Sequence, residues 1–267
     1  MKNYRKPYKI KKKKSILKNR LFWLVILILP IFFGIFYLIL FHSFFEIKTI
    51  EISGNRKVST ENLENLLNEE SNRRILAFSS RSIFLADFGR INREILKNFP
   101  HVNQVRLKRK FPSTLSLHIK EREAVAVFDQ TDKSFLIDKE GIVFDFFDSG
   151  EEEQNFIKFK KPGEMEVDLM DRVIAADQLS KILEAESKLK NQLDILTEDI
   201  IIISEVRFDI KTSERFKIYF NFQEDLDWQI TKLKAVLEEE FPPGERGNLE
   251  YIDVRFGSFA VPVPINR

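Results

Sequence analysis

The chain has 267 residues, of which 43% are hydrophobic and 31% charged, and it contains no cysteine. That mixture excludes a disordered, collagen-like or disulfide-stapled protein, and the missing thiols exclude cysteine nucleophiles, iron–sulfur clusters and cysteine-ligated zinc. The net charge of +2 conceals a split, because ten Lys/Arg and no acid fall in residues 1–20, leaving 33 bases against 41 acids in the remainder, a net of −8.

Residues 1–20 are read as a basic tail, and Leu21 to Phe41 (LFWLVILILPIFFGIFYLILF) as one membrane helix: 21 residues without a charge. A helix of that length spans about 30 Å, the hydrocarbon thickness of a bilayer. Pro30 and Gly34 are tolerated there, and Trp23 and Tyr37 lie near the ends, where aromatic rings prefer the interface. The lysine-rich flank predicts a cytoplasmic N-terminus and places residues 42–267 outside. A cleaved signal peptide would need a shorter apolar core and a small-residue site, whereas FHSFFEI is bulky. A buried core helix would not be apolar on every face. Topology and anionic lipid explain the basic cluster better than nucleic acid does.

Phe45–Ile52 (FEIKTIEI) reads as a strand with Phe45, Ile47, Ile50 and Ile52 as core candidates, ended by Gly54-Asn55. Ser59 or Thr60 can cap a helix carrying Leu63, Leu66 and Leu67, although no capping box completes it. Asn72 to Ser82 reads as a loop. Phe88, Ile91, Ile95 and Phe99 then predict a second helix, stopped by Pro100. Strands Val102–Lys110 and Thr114–Glu121 follow, joined by Phe111-Pro112-Ser113. The order is β-α-α-β-β over residues 44–122, a small α+β domain.

These pieces, quoted together as FEIKTIEISGNRKVSTENL, FPHVNQVRLKRKFPSTLSLHIKEREAVAVF and FLIDKEGIVF, resemble the FtsQ/DivIB family of bacterial cell-division proteins. The shared features are the strand before Gly54-Asn55, the Phe99-Pro100-x-Val102 exit and the Phe111-Pro112-x-Thr114-Leu115 hairpin running into Glu121–Ala126. The resemblance implies that residues 44–122 are a POTRA domain, a docking module. POTRA proteins that serve outer-membrane assembly continue into a membrane barrel, and the residues that follow here are not expected to form one.

Residues 123–267 are expected to form a second, strand-rich domain with two helices. Ala124–Phe128, Ser134–Asp138 and Ile142–Phe147 read as short strands, and Asp138-Lys139-Glu140-Gly141 as a hairpin turn and not a metal loop. A loop is placed at 149–168. Leu169–Leu193, with Val173, Ala176, Ile182, Leu189 and Leu193 inward, is predicted helical. Strands are expected at Ile200–Phe208 and Arg215–Phe222, and a helix at Leu226–Glu239 with Leu226, Ile230, Leu233 and Leu237 inward. Tyr251–Val261 is similar to the family's closing strand, with Val254 where Leu is usual, and to the strand after it.

No catalytic, metal or cofactor motif stands out. His42, His101 and His118 are scattered and read as surface residues, and Glu69-Glu70 and Glu151-Glu152-Glu153 as solvated faces. The 26 phenylalanines sit mostly in the span and at core-like positions, so no nucleic-acid platform is expected, and no small-molecule substrate is expected either. The expectation is a non-enzymatic, single-pass scaffold of the bacterial inner (plasma) membrane that binds other division proteins through exposed strand edges at the division septum. The resemblance implies FtsB/DivIC-like and FtsL-like small coiled-coil proteins as partners. It places their contact on the closing strands and the helix before them, which points to Phe256, Gly257, Ser258, Phe259 and Val261, together with Tyr251 and Arg255. An anchored envelope enzyme and a POTRA translocation factor are the alternatives. The first predicts convergent polar groups in a cleft, the second a barrel-forming partner.

Overall fold

The computed structural model describes residues 20–75, 78–148, 156–163 and 165–265. The basic tail up to residue 19 and the acidic run at 151–153 lie outside them. Two units are distinguished: one comprises the described residues to Ile95 with Val105–Ile119, the other Leu96–Gln104 with the residues from Lys120 onward.

The first element is α1 (Arg20–Phe41), a helix long and apolar enough to cross a membrane, none of whose residues is buried and which keeps Pro30 inside it. A 3-10 turn at Ser43–Phe45 follows, its start held by the Phe44 N–H donating to Nδ1 of His42 at 3.1 Å. Strand β1 (Thr49–Ser53) is therefore shorter than the Phe45–Ile52 strand expected from sequence. Phe45 belongs to the turn, and only Ile47 of the four candidate core residues is fully buried.

α2 (Thr60–Ser71) buries Leu63 and Leu67 and half-buries Leu66. Its N-cap Ser59 makes no side-chain bond; the Asn55 amide braces that end by donating to the Val58 carbonyl at 3.0 Å and to Thr60 Oγ1 at 2.8 Å. The expected loop at 72–82 instead contains a hairpin, β2 (Arg73–Ile75) and β3 (Phe78–Ser80). Three-residue strands are too short for alternation to reveal.

α3 (Phe88–Asn98) buries Ile91 and Ile95, and β4 (Val102–Lys110) and β5 (Thr114–Glu121) run as expected. The sheet order is β1-β5-β4, with β1 parallel to β5. Leu115, Leu117 and Ile119 alternate into the core. Gly54, at φ +86°, is required because a Cβ there would lie 2.0 Å from the Ile119 carbonyl oxygen.

The second unit is built on a nine-stranded mixed sheet in the order β14-β13-β12-β11-β10-β9-β6-β7-β8. The first hairpins are β6 (Ala126–Asp129), β7 (Ser134–Ile137) and β8 (Val143–Phe146). Asp138 closes the β7–β8 turn by accepting the N–H groups of Glu140 and Ile142 and by a buried ion pair with Arg122. Arg122 also donates to the Pro100 carbonyl at 3.1 Å.

Two expectations are corrected in the middle of the unit. Within the region read as a 149–168 loop, β9 (Ile157–Lys160) lies between β6 and β10 (Thr197–Ser204), parallel to both. The predicted helix at Leu169–Leu193 begins only at Ala176, giving α4 (Ala176–Leu193). Residues before it bond instead to β8, with Met170 N–H to Val143 O at 2.7 Å and Val143 N–H to Asp171 O at 2.9 Å. Val173 is buried from this extended segment, whereas Ala176 is exposed.

The single strand expected at Ile200–Phe208 is a hairpin, β10 with β11 (Arg207–Thr212), folded at Glu205-Val206 without Gly, Pro or Asn to mark it. β12 (Lys217–Asn221), α5 (Leu226–Glu239), β13 (Leu249–Asp253) and β14 (Val261–Pro264) complete the unit.

Candidate interaction surface

α5 crosses between β12 and β13 and so allows them to run parallel, Ile218 opposite Ile252. Its start is capped by Asp225, which accepts the Trp228 N–H at 2.7 Å. Leu226, Ile230, Leu233 and Leu237 go into the same core as Phe208, Ile218, Phe220 and Ile252. Lys232 is buried among them and reaches the loop after β13, donating to the carbonyl oxygens of Phe256 and Gly257 at 3.2 Å each. Burial pushes its ammonium pKa down, opposed by the charges of Glu224 and Asp253.

Because side chains alternate across a strand, the opposite face of β11–β13 carries a different set. Tyr219 and Tyr251 stack with centroids 4.4 Å apart, and Arg207 lies over Tyr219 at 4.0 Å. Arg207 pairs with Asp209 (2.7 and 2.9 Å), and Arg255 with Asp253 (2.9 and 2.6 Å), each through both carboxylate oxygens. Burial alone would raise the Asp253 pKa; the hydrogen bonds and charge of Arg255 outweigh it and hold the carboxyl below its ordinary value. Burial, with the Asp209 charge adding to it, raises the Tyr219 phenol.

Between β13 and β14, the closing strand and the one after it, the chain makes a loop, residues 254–260. Val254 and Ala260 are buried and pin its ends, and Gly257 takes φ +67°. Between the pins, Phe256 is 65% exposed and Phe259 82%, with Ser258 beside them. The Arg255 guanidinium sits 4.9 Å from the Phe256 ring centre.

β14 is an edge strand, paired antiparallel with β13 through Tyr251–Val263 and Asp253–Val261. The Ile265 N–H turns inward to the Asn248 carbonyl at 2.8 Å, so by alternation Val261 and Val263 also bond inward. Pro262 and Pro264 therefore face the open side, which offers their carbonyl oxygens but no N–H. The expected pairing edge is half of one, since it can accept and cannot donate. At the other margin, β8 is bonded by the chain's own residues 170–171.

The structure thus gathers Tyr251, Arg255, Phe256, Gly257, Ser258, Phe259 and Val261 at one end of the sheet. Tyr251 and Arg255 stand on the tyrosine face, and Phe256, Gly257, Ser258 and Phe259 on the loop. Val261, 56% exposed, opens β14. Sequence reasoning missed Arg207, Tyr219 and Lys232. The alternation of RFDIKT and KIYFN was the available signal for the first two, and nothing local marks Lys232. Elsewhere, His101 Nε2 pairs with Asp145 at 2.9 Å and His118 Nδ1 lies 3.1 Å from Ser53 Oγ. No cluster of three His, Asp or Glu suited to a metal occurs among the described residues.

Comparison with known proteins gives two family matches. Residues 45–122 match the model "POTRA domain, FtsQ-type", and residues 126–255 match "Cell division protein FtsQ/DivIB, C-terminal". The chain is 24% identical over 223 residues to cell division protein DivIB of Clostridium tetani, covering 80% of this chain and 78% of the relative. It is 24% identical over 264 residues to DivIB of Clostridium botulinum, covering 93% and 91%. To cell division protein FtsQ of Rickettsia bellii it is 31% identical over 97 residues, 36% of this chain and 33% of that one. The second family match includes Tyr251 and Arg255 and stops before Phe256.

Proposed function

Given that this chain belongs to the FtsQ/DivIB family of cell division proteins, we propose that it works without catalysis, as a tethered scaffold that docks smaller division proteins on the 254–261 end of its second domain. In this reading residues 1–20 are cytoplasmic, 21–41 span the bacterial plasma membrane, and the POTRA domain (44–122) and C-terminal domain (123–267) lie outside, at the septum. The partners are FtsB/DivIC-like and FtsL-like single-span coiled-coil proteins.

One observation carries the reading: two large aromatic rings, Phe256 and Phe259, stand in solvent on a loop whose ends are buried, beside a strand with one side open. Exposed aromatics on a braced backbone are the usual anchors of protein contacts, and an open strand margin adds main-chain bonds. The prolines shift the weight towards the side chains. A partner strand could donate to Pro262 and Pro264 but receive nothing back, so Phe256, Phe259 and Val261 supply most of the affinity.

The test co-reconstitutes the full chain with the DivIC-like and FtsL-like proteins of the same organism and follows a fluorescent fusion in dividing cells. A stable complex and a midcell band are expected. A uniform peripheral signal with no complex would overturn the reading.

A further inference from the structure

A second group of exposed aromatic rings lies far along the chain from the loop just described. Phe44, Phe45, Phe84 and Phe111 touch in succession, with centroid separations of 5.1, 5.3 and 5.2 Å. Phe44 is 54% exposed, Phe84 41% and Phe111 62%. Such a row is costly in water and indicates a surface that meets something apolar.

The backbone beneath the rings is stitched together. Ile83 N–H donates to Phe45 O at 2.9 Å, Ile47 N–H to Arg81 O at 3.0 Å, and Lys48 N–H to Ser113 O at 2.9 Å. The Arg109 guanidinium braces the turn that presents Phe84, donating to the Ile83 and Ala86 carbonyls at 2.7 and 2.8 Å, and Ile83 itself is buried. The rings are thus displayed on a fixed platform.

That platform adjoins the end of α1. The last carbonyls of a helix lack partners within it, and here two of them are taken up by the same domain. Buried Ser82 donates its hydroxyl to Ile39 O at 3.0 Å, and buried Ser80 donates to Leu40 O. Phe44 follows only three residues after Phe41, and the short link between them is itself a hydrogen-bonded 3-10 turn.

We propose that Phe44, Phe45, Phe84 and Phe111 form a foot that seats the first domain in the interfacial layer of the bilayer that α1 crosses. The occupant follows from continuity: the aromatic row begins where the apolar helix ends, and the serine bonds hold it there. Aromatic side chains favour that layer, and phenylalanine lacks the polar group that would hold it at the water side. The foot fixes the domain against the membrane, in addition to the tether. This inference rests on the reading of α1 as a membrane span.

The test uses the full chain in bilayer nanodiscs with Trp23→Phe and Trp228→Phe, carrying Phe111→Trp or, separately, Phe84→Trp. A companion chain keeps only Trp23. Lipids brominated near the glycerol end are expected to quench the reporters at 111 and 84, with blue-shifted emission and loss of acrylamide quenching, and lipid bromine also quenches Trp23. Quenching of Trp23 by lipid bromine, with 111 and 84 quenched only by acrylamide, would overturn the foot and leave the anchor standing. If no bromine position quenches Trp23, the anchor fails and the foot with it.

Discussion

The ammonium of Lys232 donates to the carbonyl oxygen of Phe256 across 3.2 Å, tying a buried cation on α5 to the base of an exposed aromatic loop. A charge is taken out of water to do this, and burial lowers its pKa accordingly. The bond holds the Phe256 backbone while leaving its ring in solvent.

Lys232→Met removes the ammonium that donates both bonds and keeps the apolar stem. The loop is then released, and partner Kd is expected to rise about tenfold, in line with the loss of a charged hydrogen bond. The melting temperature changes little, because the buried charge and its desolvation cost are removed together. Calorimetric titration of the reconstituted complex and a thermal melt of the same sample check both halves.

Phe259 makes no core contribution at 82% exposure, so Phe259→Asp should leave the circular dichroism and melting temperature as they are. Loss of a central aromatic anchor costs roughly 2 kcal/mol or more, about 30-fold in affinity. Undiminished binding by this variant would remove the loop from the interface.

Replacing Pro262 and Pro264 by Ala gives β14 two outward N–H groups. If a partner strand adds there, its affinity rises, since a half ladder becomes complete. If partners use only the rings, affinity is unchanged and the full chain in detergent shows new self-association through the opened margin. Sedimentation and titration on one preparation separate these outcomes.

Asp253 gives a pH signature. Its native pKa lies below the ordinary 3.8, so its contribution to stability is fully present above that value and is lost as pH falls through the native one. Urea melts between pH 7 and 3 should show the wild-type chain losing stability at the acid end, with Asp253→Asn less dependent on pH there. Equal slopes for the two proteins would show that the Arg255 pairing contributes nothing.

Much of the first domain was legible because its elements carry long periodic signals. Ile91 and Ile95 fall at helical spacing, and Leu115, Leu117 and Ile119 alternate over a full strand. The β2–β3 hairpin and β9 escaped because three or four residues do not establish a period, and β9 is flanked by acidic residues. The β10–β11 turn escaped because Glu205-Val206 has no turn chemistry. At the interaction surface, exposed residues were named from the resemblance, while Lys232 could not be. A lysine within an amphipathic helix looks solvated until the loop it holds is placed in space. Pro262 and Pro264 were visible in the sequence, but what they do to the edge depends on which residues of β14 face inward.

The strand least visible in the sequence also has a mechanical consequence. β9 meets β10 through only the Ile200–Phe159 and Ile201–Lys160 register pairs, whereas β10 and β11 are matched along six. The β9–β10 ladder is the shortest in the nine-stranded sheet, with β6–β8 on one side of it and β10–β14 on the other. A load drawing the carboxyl-terminal panel away from the rest would open this seam first, and β14 would keep its shape while it did.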